Sequence, residues 1–261
     1  MSTPVLSDVP SLIAAHMRAA AARNPGGKAG PFTIGLDEHS SHPMRNFAVP
    51  DGGAAPSAAD ISALIAFFRG HDRIPRLEFI EASAPAVTPA LLAAGFTAEA
   101  RTPVMACVPG MTLTPRRPAG VTVREAAGDA DLAAALGVQH HAYAEPSPPG
   151  PQDIARVRAM TARGGVVTVA VDDQSGSVAG TGLVDVPAPG SGTGTGELAA
   201  VGVLTAFRRR GIASAVSAHL ARTAHARGIK VVFLEALPDE EEIYRRTGFA
   251  DVSAKVWLSL R

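Results

Sequence analysis

The strongest constraint on the fold is a succession of strands and helices that occurs twice along the 261 residues. Apolar runs and helical periodicity in the second half predict strand Glu197–Val203, helix Gly211–Gly228, strand Lys230–Ala236, helix Glu240–Thr247 and strand Ala250–Leu260. The first half predicts the same order, with elements at Arg45–Val49, Ser57–Phe68, Leu77–Ala82, Thr88–Ala94 and Thr97–Cys107. We therefore expect two copies of one folding unit.

Matching residues support this repeat. Three matches lie at an offset of 154 positions: Phe79 with Phe233, Glu81 with Glu235, and Ala82 with Ala236. Gly95-Phe96 matches Gly248-Phe249 at an offset of 153, so a slip of one residue in a loop reconciles the two sets. Matches of a few residues also arise by chance, and it is the agreement in element order that favours a true repeat.

Prolines and glycines crowd between Pro109 and Gly120, which predicts a hinge between two domains, 1–112 and 120–261. The second domain is predicted to begin with strand Val121–Glu125, helices Asp129–His140 and Asp153–Arg163, and strands Val166–Val171 and Ser177–Val186. The glycine-rich segment Pro187–Gly196 is expected to form a flexible hairpin tip. Near the N-terminus, Ser11–Ala22 is interpreted as an ordinary helix, because His16 and Arg18 interrupt what would be the apolar region of a signal peptide.

Composition excludes several classes of function. Lysine and arginine together number 24, as do aspartate and glutamate, so the net charge gives no argument for binding nucleic acid or an anionic membrane. The single cysteine, Cys107, cannot form an intrachain disulfide and cannot build a thiolate zinc site, and we expect it to be a buried hydrophobe rather than a nucleophile. No run of 18 apolar residues is present. We expect a cytoplasmic protein without a metal.

The most informative motif is Arg208-Arg209-Arg210-Gly211-Ile212-Ala213, between an apolar strand and a helix. The start of a helix offers unpaired backbone N–H groups and a positive dipole end, and small residues there let an anion approach. Three arginines beside such a site predict a diphosphate cradle. A solvated basic helix start is the alternative interpretation.

The pattern Arg-x-x-Gly-x-Ala after a strand resembles motif A of the GNAT superfamily of acyl-CoA-dependent N-acyltransferases, over about residues 121 to 261. The resemblance implies that the pyrophosphate of coenzyme A binds the loop and helix start, and that the preceding strand edge contacts the pantetheine and thioester. The cofactor-binding residues would be Val201, Gly202, Val203, Arg208, Arg209, Arg210, Gly211, Ile212, Ala213 and Ser214. Thr205 stands where the family usually has a proline.

Tyr244 matches the closing motif of the same family, because it stands four residues before Gly248. The resemblance implies that its hydroxyl protonates the leaving thiolate as a general acid. A tyrosine partly buried by an amphipathic helix is the alternative. The asparagine often found upstream in the family is missing, since Leu237, Pro238 and Asp239 occupy that stretch.

Glu197 is the candidate general base, because it lies 11 positions before Arg208, the spacing used by the histone-acetylating branch of the family. A base is required because an alkylammonium, with a pKa near 10.4, must lose a proton before it can attack a thioester. An exposed glutamate at the start of a strand is the alternative. By the same resemblance, His140, His141, Tyr143 and Glu145 fall where the acceptor pocket is expected.

The first half has no such cradle, since Asp51-Gly52-Gly53 follows its strand without an arginine. The resemblance therefore implies a tandem form with a degenerate N-terminal half, and an α+β fold in which each domain is a twisted, mostly antiparallel mixed sheet flanked by helices. The predicted function is acetyl-CoA-dependent N-acetyltransfer to the primary amine of a small molecule, by direct attack in a ternary complex. A non-catalytic acyl-CoA sensor, another acyl group or a hydroxyl acceptor are the alternatives, and a monomer and a homodimer are equally compatible with the sequence.

Overall fold

The computed structural model describes residues 6–145, 147–187 and 192–261. Its elements, in chain order, are α1 (Val9–Ala21), β1 (Pro25–Ala29), β2 (Phe32–Gly35), β3 (Phe47–Pro50), α2 (Ala58–Gly70), β4 (Arg76–Ile80), α3 (Val87–Ala93), β5 (Thr97–Cys107), β6 (Val121–Glu125), α4 (Gly128–Ala142), α5 (Pro151–Ala162), β7 (Val166–Asp172), β8 (Val178–Asp185), β9 (Thr195–Val203), α6 (Ile212–Ala226), β10 (Val231–Glu235), α7 (Glu241–Arg245) and β11 (Ala250–Ser259). Short 3₁₀ turns precede α1, β3 and α6 and follow β4. Within the described residues no helix is long and apolar enough to span a bilayer.

The chain is divided into two compact units. Among the described residues, unit 1 contains Met105–Val186 and Gly194–Asp251, and unit 2 contains residues 6–104 and Val252–Arg261. The division passes through β5 after Val104 and through β11 after Asp251. Unit 1 therefore includes the end of β5, and unit 2 includes most of β11. The predicted domains, divided between residues 112 and 120, assign each of these strands to its own half of the chain.

Unit 1 is built on the strand order β6–β7–β8–β9–β10, followed by the end of β5. The first three pairings are antiparallel and β9 pairs with β10 in parallel. One apolar stripe of α6, formed by Ile212, Val216 and Leu220, packs into the core that also contains Val184 and Leu198. The mixed, mostly antiparallel sheet predicted for this domain is confirmed.

Unit 2 has the strand order β1–β2–β3–β4–β11, followed by the first part of β5. Here too the strands are antiparallel except for one parallel pair, β3 with β4. Phe32, Phe68 and Phe79 fill its core together with Val256 and Leu258 from β11. The repeated element order is confirmed, although the hairpin β1–β2 was not predicted, because three glycines between residues 26 and 30 obscure the strand pattern.

Helix capping explains where the structure departs from the predicted boundaries. Helix α5 begins at Pro151 rather than Asp153, because the Asp153 carboxylate accepts the Gly150 N–H at 2.8 Å and so caps the first turn. Helix α7 ends at Arg245 rather than Thr247, whose hydroxyl donates to the Tyr244 carbonyl at 2.8 Å. The loop is shorter than the predicted tip Pro187–Gly196, because β9 already begins at Thr195. Residues 188–191 of this tip lie outside the described part of the chain.

A buried ion network occupies unit 2. Arg76 is fully buried, donates to Glu99 at 2.8 Å and pairs with Glu78. Lys255 of β11 pairs with the other oxygen of Glu78 at 2.8 Å, and the Arg76 guanidinium lies 5.2 Å from the ring centroid of Trp257. The carboxylates stabilise the charged form of Arg76 against the cost of burial and raise its pKa above the ordinary value.

Candidate active site

Strand β9 is distorted at its second half. Opposite β8, Ala199 pairs with Leu183 and Gly202 pairs with Thr181, so Ala200 and Val201 together face one residue of the neighbouring strand. Ala200 has φ of 54°, as expected for an alanine forced into a β-bulge. On the other side, pairing with β10 ends at Glu197 and Phe233. The edge formed by residues 201–203 therefore diverges from β10.

The backbone after β9 turns sharply at the residues predicted to form the cradle. A 3₁₀ turn, Thr205–Phe207, leads to Arg208 in an extended conformation, and Arg209 follows with φ of 65°. Gly211 is left-handed, with φ of 80°, and is the N-cap residue of α6. A left-handed residue here turns the chain so that the first amides of a 15-residue helix face outward without a side-chain cap. This geometry suits an anion.

Two of the three cradle arginines are held by backbone carbonyls. The Arg208 Nε donates to the Val203 carbonyl at 3.2 Å, which ties the cradle to the end of β9. Arg210 donates to the Ala119 carbonyl at 3.1 Å, and its guanidinium lies 5.1 Å from the centroid of the Phe207 ring. All three side chains are exposed. The cluster therefore combines a fixed framework with accessible positive charge.

Tyr143 reaches the distorted strand from the end of α4. Its hydroxyl donates to the Val201 carbonyl at 3.3 Å. The last turn of α4 also packs closely on Gly202, where a Cβ would stand 3.0 Å from the Cβ of Ala142. The small residue at position 202 thus allows α4 to approach β9, and Tyr143 contacts β9 from the α4 side.

Tyr244 lies in α7 and is 7% exposed. Its ring packs edge-on against Phe249, with 6.1 Å between centroids. Burial and the nearby charge of Glu240 raise the pKa of Tyr244 above its ordinary value, and Tyr143 adds to the effect. Glu240 is itself half-buried, which raises its pKa, and it acts on Tyr143 as well. These three side chains therefore form one electrostatic cluster.

Glu197 lies near the start of β9, in register with Phe233 of β10 and Asp185 of β8. It is half-buried. Val201 lies four positions farther along the strand, which corresponds to roughly 13 Å along an extended chain. Its role as the base stays a prediction.

Other side chains named from the sequence fall into different surroundings. His140 forms a hydrogen bond through Nδ1 with the Ser147 carbonyl at 2.7 Å, so it holds the loop after α4. His141 and Glu145 are exposed. Cys107 is fully buried, and burial raises the pKa of its thiol, which disfavours the thiolate.

Sequence reasoning missed Glu240 and the bond between Tyr143 and Val201. The second of these joins residues 58 positions apart, which no local pattern encodes. Glu240 lies one helical turn before Tyr244, and this spacing is the one signal that could have identified it.

The second half of the chain matches a known protein family. Residues 122–252, half of the chain, match the model of one protein family, which is described as "Acetyltransferase (GNAT) domain". This chain belongs to the GNAT family. As a GNAT protein it is an acyltransferase, and the resemblance drawn from the cradle and Tyr244 is confirmed at the level of the family.

Solved structures extend the similarity to both units of this GNAT protein. A GCN5-related N-acetyltransferase from Kribbella flavida is 26% identical, with a TM-score of 0.79, and 96% of this chain and 95% of that chain are covered. A GCN5-related N-acetyltransferase from Sphaerobacter thermophilus has a TM-score of 0.66 at 19% identity over 99% and 94% of the two chains. A tandem GNAT protein from the clavulanic acid biosynthesis pathway has a TM-score of 0.63 at 14% identity over 98% and 96%. No curated protein matches the chain.

Proposed function

We propose that this GNAT protein transfers the acetyl group of acetyl-CoA to the primary amine of a small molecule by direct attack in a ternary complex. The main observation behind this proposal is that the start of α6 and the diverging end of β9 are held together. The left-handed turn at Gly211 presents the start of α6, and the Arg208 side chain fixes that turn to the diverging end of β9. The diphosphate of coenzyme A would contact the start of α6, and its extended amide chain would contact the diverging end of β9.

The residues present fit coenzyme A. Space is open around Gly211, where a Cβ would meet nothing within 4 Å, so a pyrophosphate can approach the amides of residues 211–214. Arg208 and Arg209 add exposed positive charge beside those amides. Residues Val201, Gly202 and Val203 offer backbone groups on an edge that β10 leaves unpaired beyond Glu197. Acetyl-CoA supplies the activated acyl group.

Tyr244 is proposed to donate a proton to the departing thiolate. Its raised pKa keeps the phenol protonated at neutral pH, which a general acid requires. Its buried ring is held by Phe249, so the hydroxyl has a defined position. Glu197 is proposed to accept the proton of the ammonium, directly or through water. Otherwise the protein contributes by positioning, and no covalent intermediate with a protein residue is needed.

The acceptor is proposed to bind on the α4 side of β9, where Tyr143 contacts Val201. We propose that the half of the chain with the cradle, from residue 120 onward, is the catalytic domain, and that the N-terminal half over 1–112 is a degenerate GNAT unit. Two observations support this. The family profile lies within the second half, and the loop after β3 has no arginine. A cytoplasmic location is part of the same proposal.

Two measurements test the proposal. Calorimetry with acetyl-CoA measures binding, and release of free thiol in the presence of amines, amino acids and aminoglycosides measures transfer. Binding together with amine-dependent thiol release is the expected result. Binding without release to any amine would favour an acyl-CoA sensor, whereas release with longer acyl-CoA or with alcohols would favour a different GNAT activity. Absence of acetyl-CoA binding would contradict the proposal.

A further inference from the structure

Unit 1 contains a cavity of about 370 Å³ between the segment before β6, β6 itself and the middle of α6. Its polar lining consists of Thr114, Arg117, Thr122, His219 and Arg222. None of these residues belongs to the candidate active site. None of the described residues lining the cavity is acidic, and two of them are arginines.

Among the residues that the structure describes, no carboxylate forms an ion pair with either arginine. Arg117 reaches only the Thr122 hydroxyl, at 3.5 Å, and neither Arg117 nor Arg222 has an ion-pair partner among the residues that the structure describes. Arg227, farther along α6, is by contrast paired with Glu125. Two guanidinium groups facing one cavity without a carboxylate favour an anionic ligand.

His219 is held in place by residues of the sheet. Its Nδ1 lies 3.0 Å from the hydroxyl of Thr168, which is fully buried, and the Thr181 hydroxyl donates to the Thr168 carbonyl at 2.9 Å. The bond to Thr168 leaves Nε2 as the ring nitrogen available to a ligand. Burial and the charge of Arg222 lower the pKa of His219, while Glu125 opposes this effect.

The remaining wall of the cavity is apolar and consists of Pro115, Pro118, Val123 and Ala215. A bare inorganic ion would leave this wall uncovered. A ligand with an apolar body and one anionic group would use both parts of the lining. Two carboxylates lie beside the lining without belonging to it: Asp173 accepts the Thr122 hydroxyl at 2.7 Å, and Glu125 acts on His219.

We propose that this cavity binds a small organic anion, whose carboxylate or phosphate pairs with Arg117 and Arg222 and whose apolar body contacts Pro118 and Val123. The site is separate from the cradle at residues 208–214. It does not depend on the proposed transfer reaction, because no residue of the cavity holds the coenzyme or the acceptor in that proposal.

Phenyl phosphate and benzoate are suitable probes, with phenol as the neutral control. We expect both anions to bind the full-length protein by calorimetry and phenol to bind at least about tenfold more weakly, because hydrogen bonds to charged groups dominate. Arg117→Gln and Arg222→Gln should each weaken binding about tenfold or more. Arg116→Gln is the matched control, since Arg116 is exposed and does not line the cavity, and it should leave the affinity unchanged.

A second readout is the pKa of His219 measured by NMR. A bound anion offsets the charge of Arg222, so the pKa of His219 should rise when phenyl phosphate is added, and this rise should be absent in Arg222→Gln. Unchanged melting temperatures would show that these surface variants are folded.

Three results would overturn the proposal. They are no binding of either anion at millimolar concentration, equal weakening by Arg116→Gln and Arg117→Gln, or loss of anion binding when acetyl-CoA saturates the protein. The last result would assign the arginines to the coenzyme. Whichever anion binds more tightly identifies the anionic group that the cavity prefers.

Discussion

Tyr244 combines a buried ring with a hydroxyl that stays protonated at neutral pH. Tyr244→Phe keeps the ring and its packing against Phe249 but removes the donor. If the hydroxyl protonates the thiolate, kcat should fall about 100-fold or more while the KM for acetyl-CoA changes little. Steady-state kinetics measures both constants, and an unchanged melting temperature is the control. A variant with full kcat would remove Tyr244 from the reaction.

Arg208 acts on binding rather than on chemistry in the proposed function. Removing its side chain takes away a cation of the cradle and the bond to the Val203 carbonyl. Arg208→Ala should therefore raise the KM for acetyl-CoA about tenfold or more and lower kcat by a smaller factor. Arg116→Ala, another exposed arginine, is the matched control. Unchanged coenzyme affinity in Arg208→Ala would show that the cradle lies elsewhere.

Glu240 should make stability depend on pH. Its folded-state pKa is raised above the ordinary value of 4.5, mainly by burial, so the folded state binds the proton more tightly than the unfolded chain. Stability should then decrease as pH rises from 4.5 through the folded pKa, because the buried carboxylate must ionise. Glu240→Gln removes this decrease. The melting temperature of the variant minus that of the native protein should become more positive over this pH range, and a constant difference would contradict the assignment.

At the scale of single residues, local geometry could be predicted from the sequence. The turn at Arg208–Gly211 follows from a strand, a glycine and a helix start that are adjacent along the chain, so its position could be predicted, whereas its role as a cradle stays a prediction. The contact between Tyr143 and Val201 depends on how α4 packs on β9, and such packing is not encoded locally. The roles of Tyr244 and Glu197 in chemistry remain predictions that only kinetics can test.

At the scale of elements, the turn after α7 depends on a glycine for two reasons. Gly248 is left-handed, with φ of 98°, and a Cβ there would lie 2.0 Å from the Met111 carbonyl oxygen. Gly228, after α6, is also left-handed, with φ of 88°, but a Cβ there meets nothing within 4 Å. An added Cβ would therefore strain the backbone at both positions, but would clash with a neighbouring atom only at position 248.

Gly248→Ala should destabilise the protein clearly more than Gly228→Ala. The shared left-handed conformation costs each variant about 1 kcal/mol. The additional clash at position 248 cannot be relieved by a side-chain rotation, because the contacted atom is backbone, and should add about 1–3 kcal/mol. Urea denaturation of both variants measures the difference. Equal losses of stability would show that the segment around Met111 moves freely to accommodate a methyl group.

Element boundaries show where sequence patterns lose resolution. Strong apolar periodicity located α2, α6, β5 and β6 to within two residues at either end. The hairpin β1–β2 escaped detection because it is stabilised by pairing with β3 and by contacts to α1 and α2, and not by its own alternation. Capping residues such as Asp153 shifted other boundaries by a turn or less.

At the scale of the whole molecule, the last strand of the chain belongs to the unit that is formed mainly by the first half. Residues Lys255–Ser259 of β11 pair with Arg76–Ile80 of β4, and Val256 and Leu258 lie in the core of unit 2. The sequence repeat could predict two similar units, but not that β11 pairs within unit 2, because β11 follows α7 along the chain just as β5 follows α3. Pairing is decided by three-dimensional contacts such as the ion pair of Lys255 with Glu78.

This exchange predicts that a substitution near the C-terminus destabilises the unit formed mainly by the N-terminal half. Leu258→Ala removes a side chain that is 1% exposed from the core of unit 2 and should cost about 2–5 kcal/mol. Hydrogen exchange should then accelerate at the amides of β4, which pair with β11, more than at those of β7 and β8 in unit 1. Leu237→Ala, at a position 57% exposed, is the matched control and should leave both rates unchanged. Faster exchange confined to unit 1 in Leu258→Ala would contradict the exchange of strands, because the substituted side chain would then have to pack with its own half of the chain.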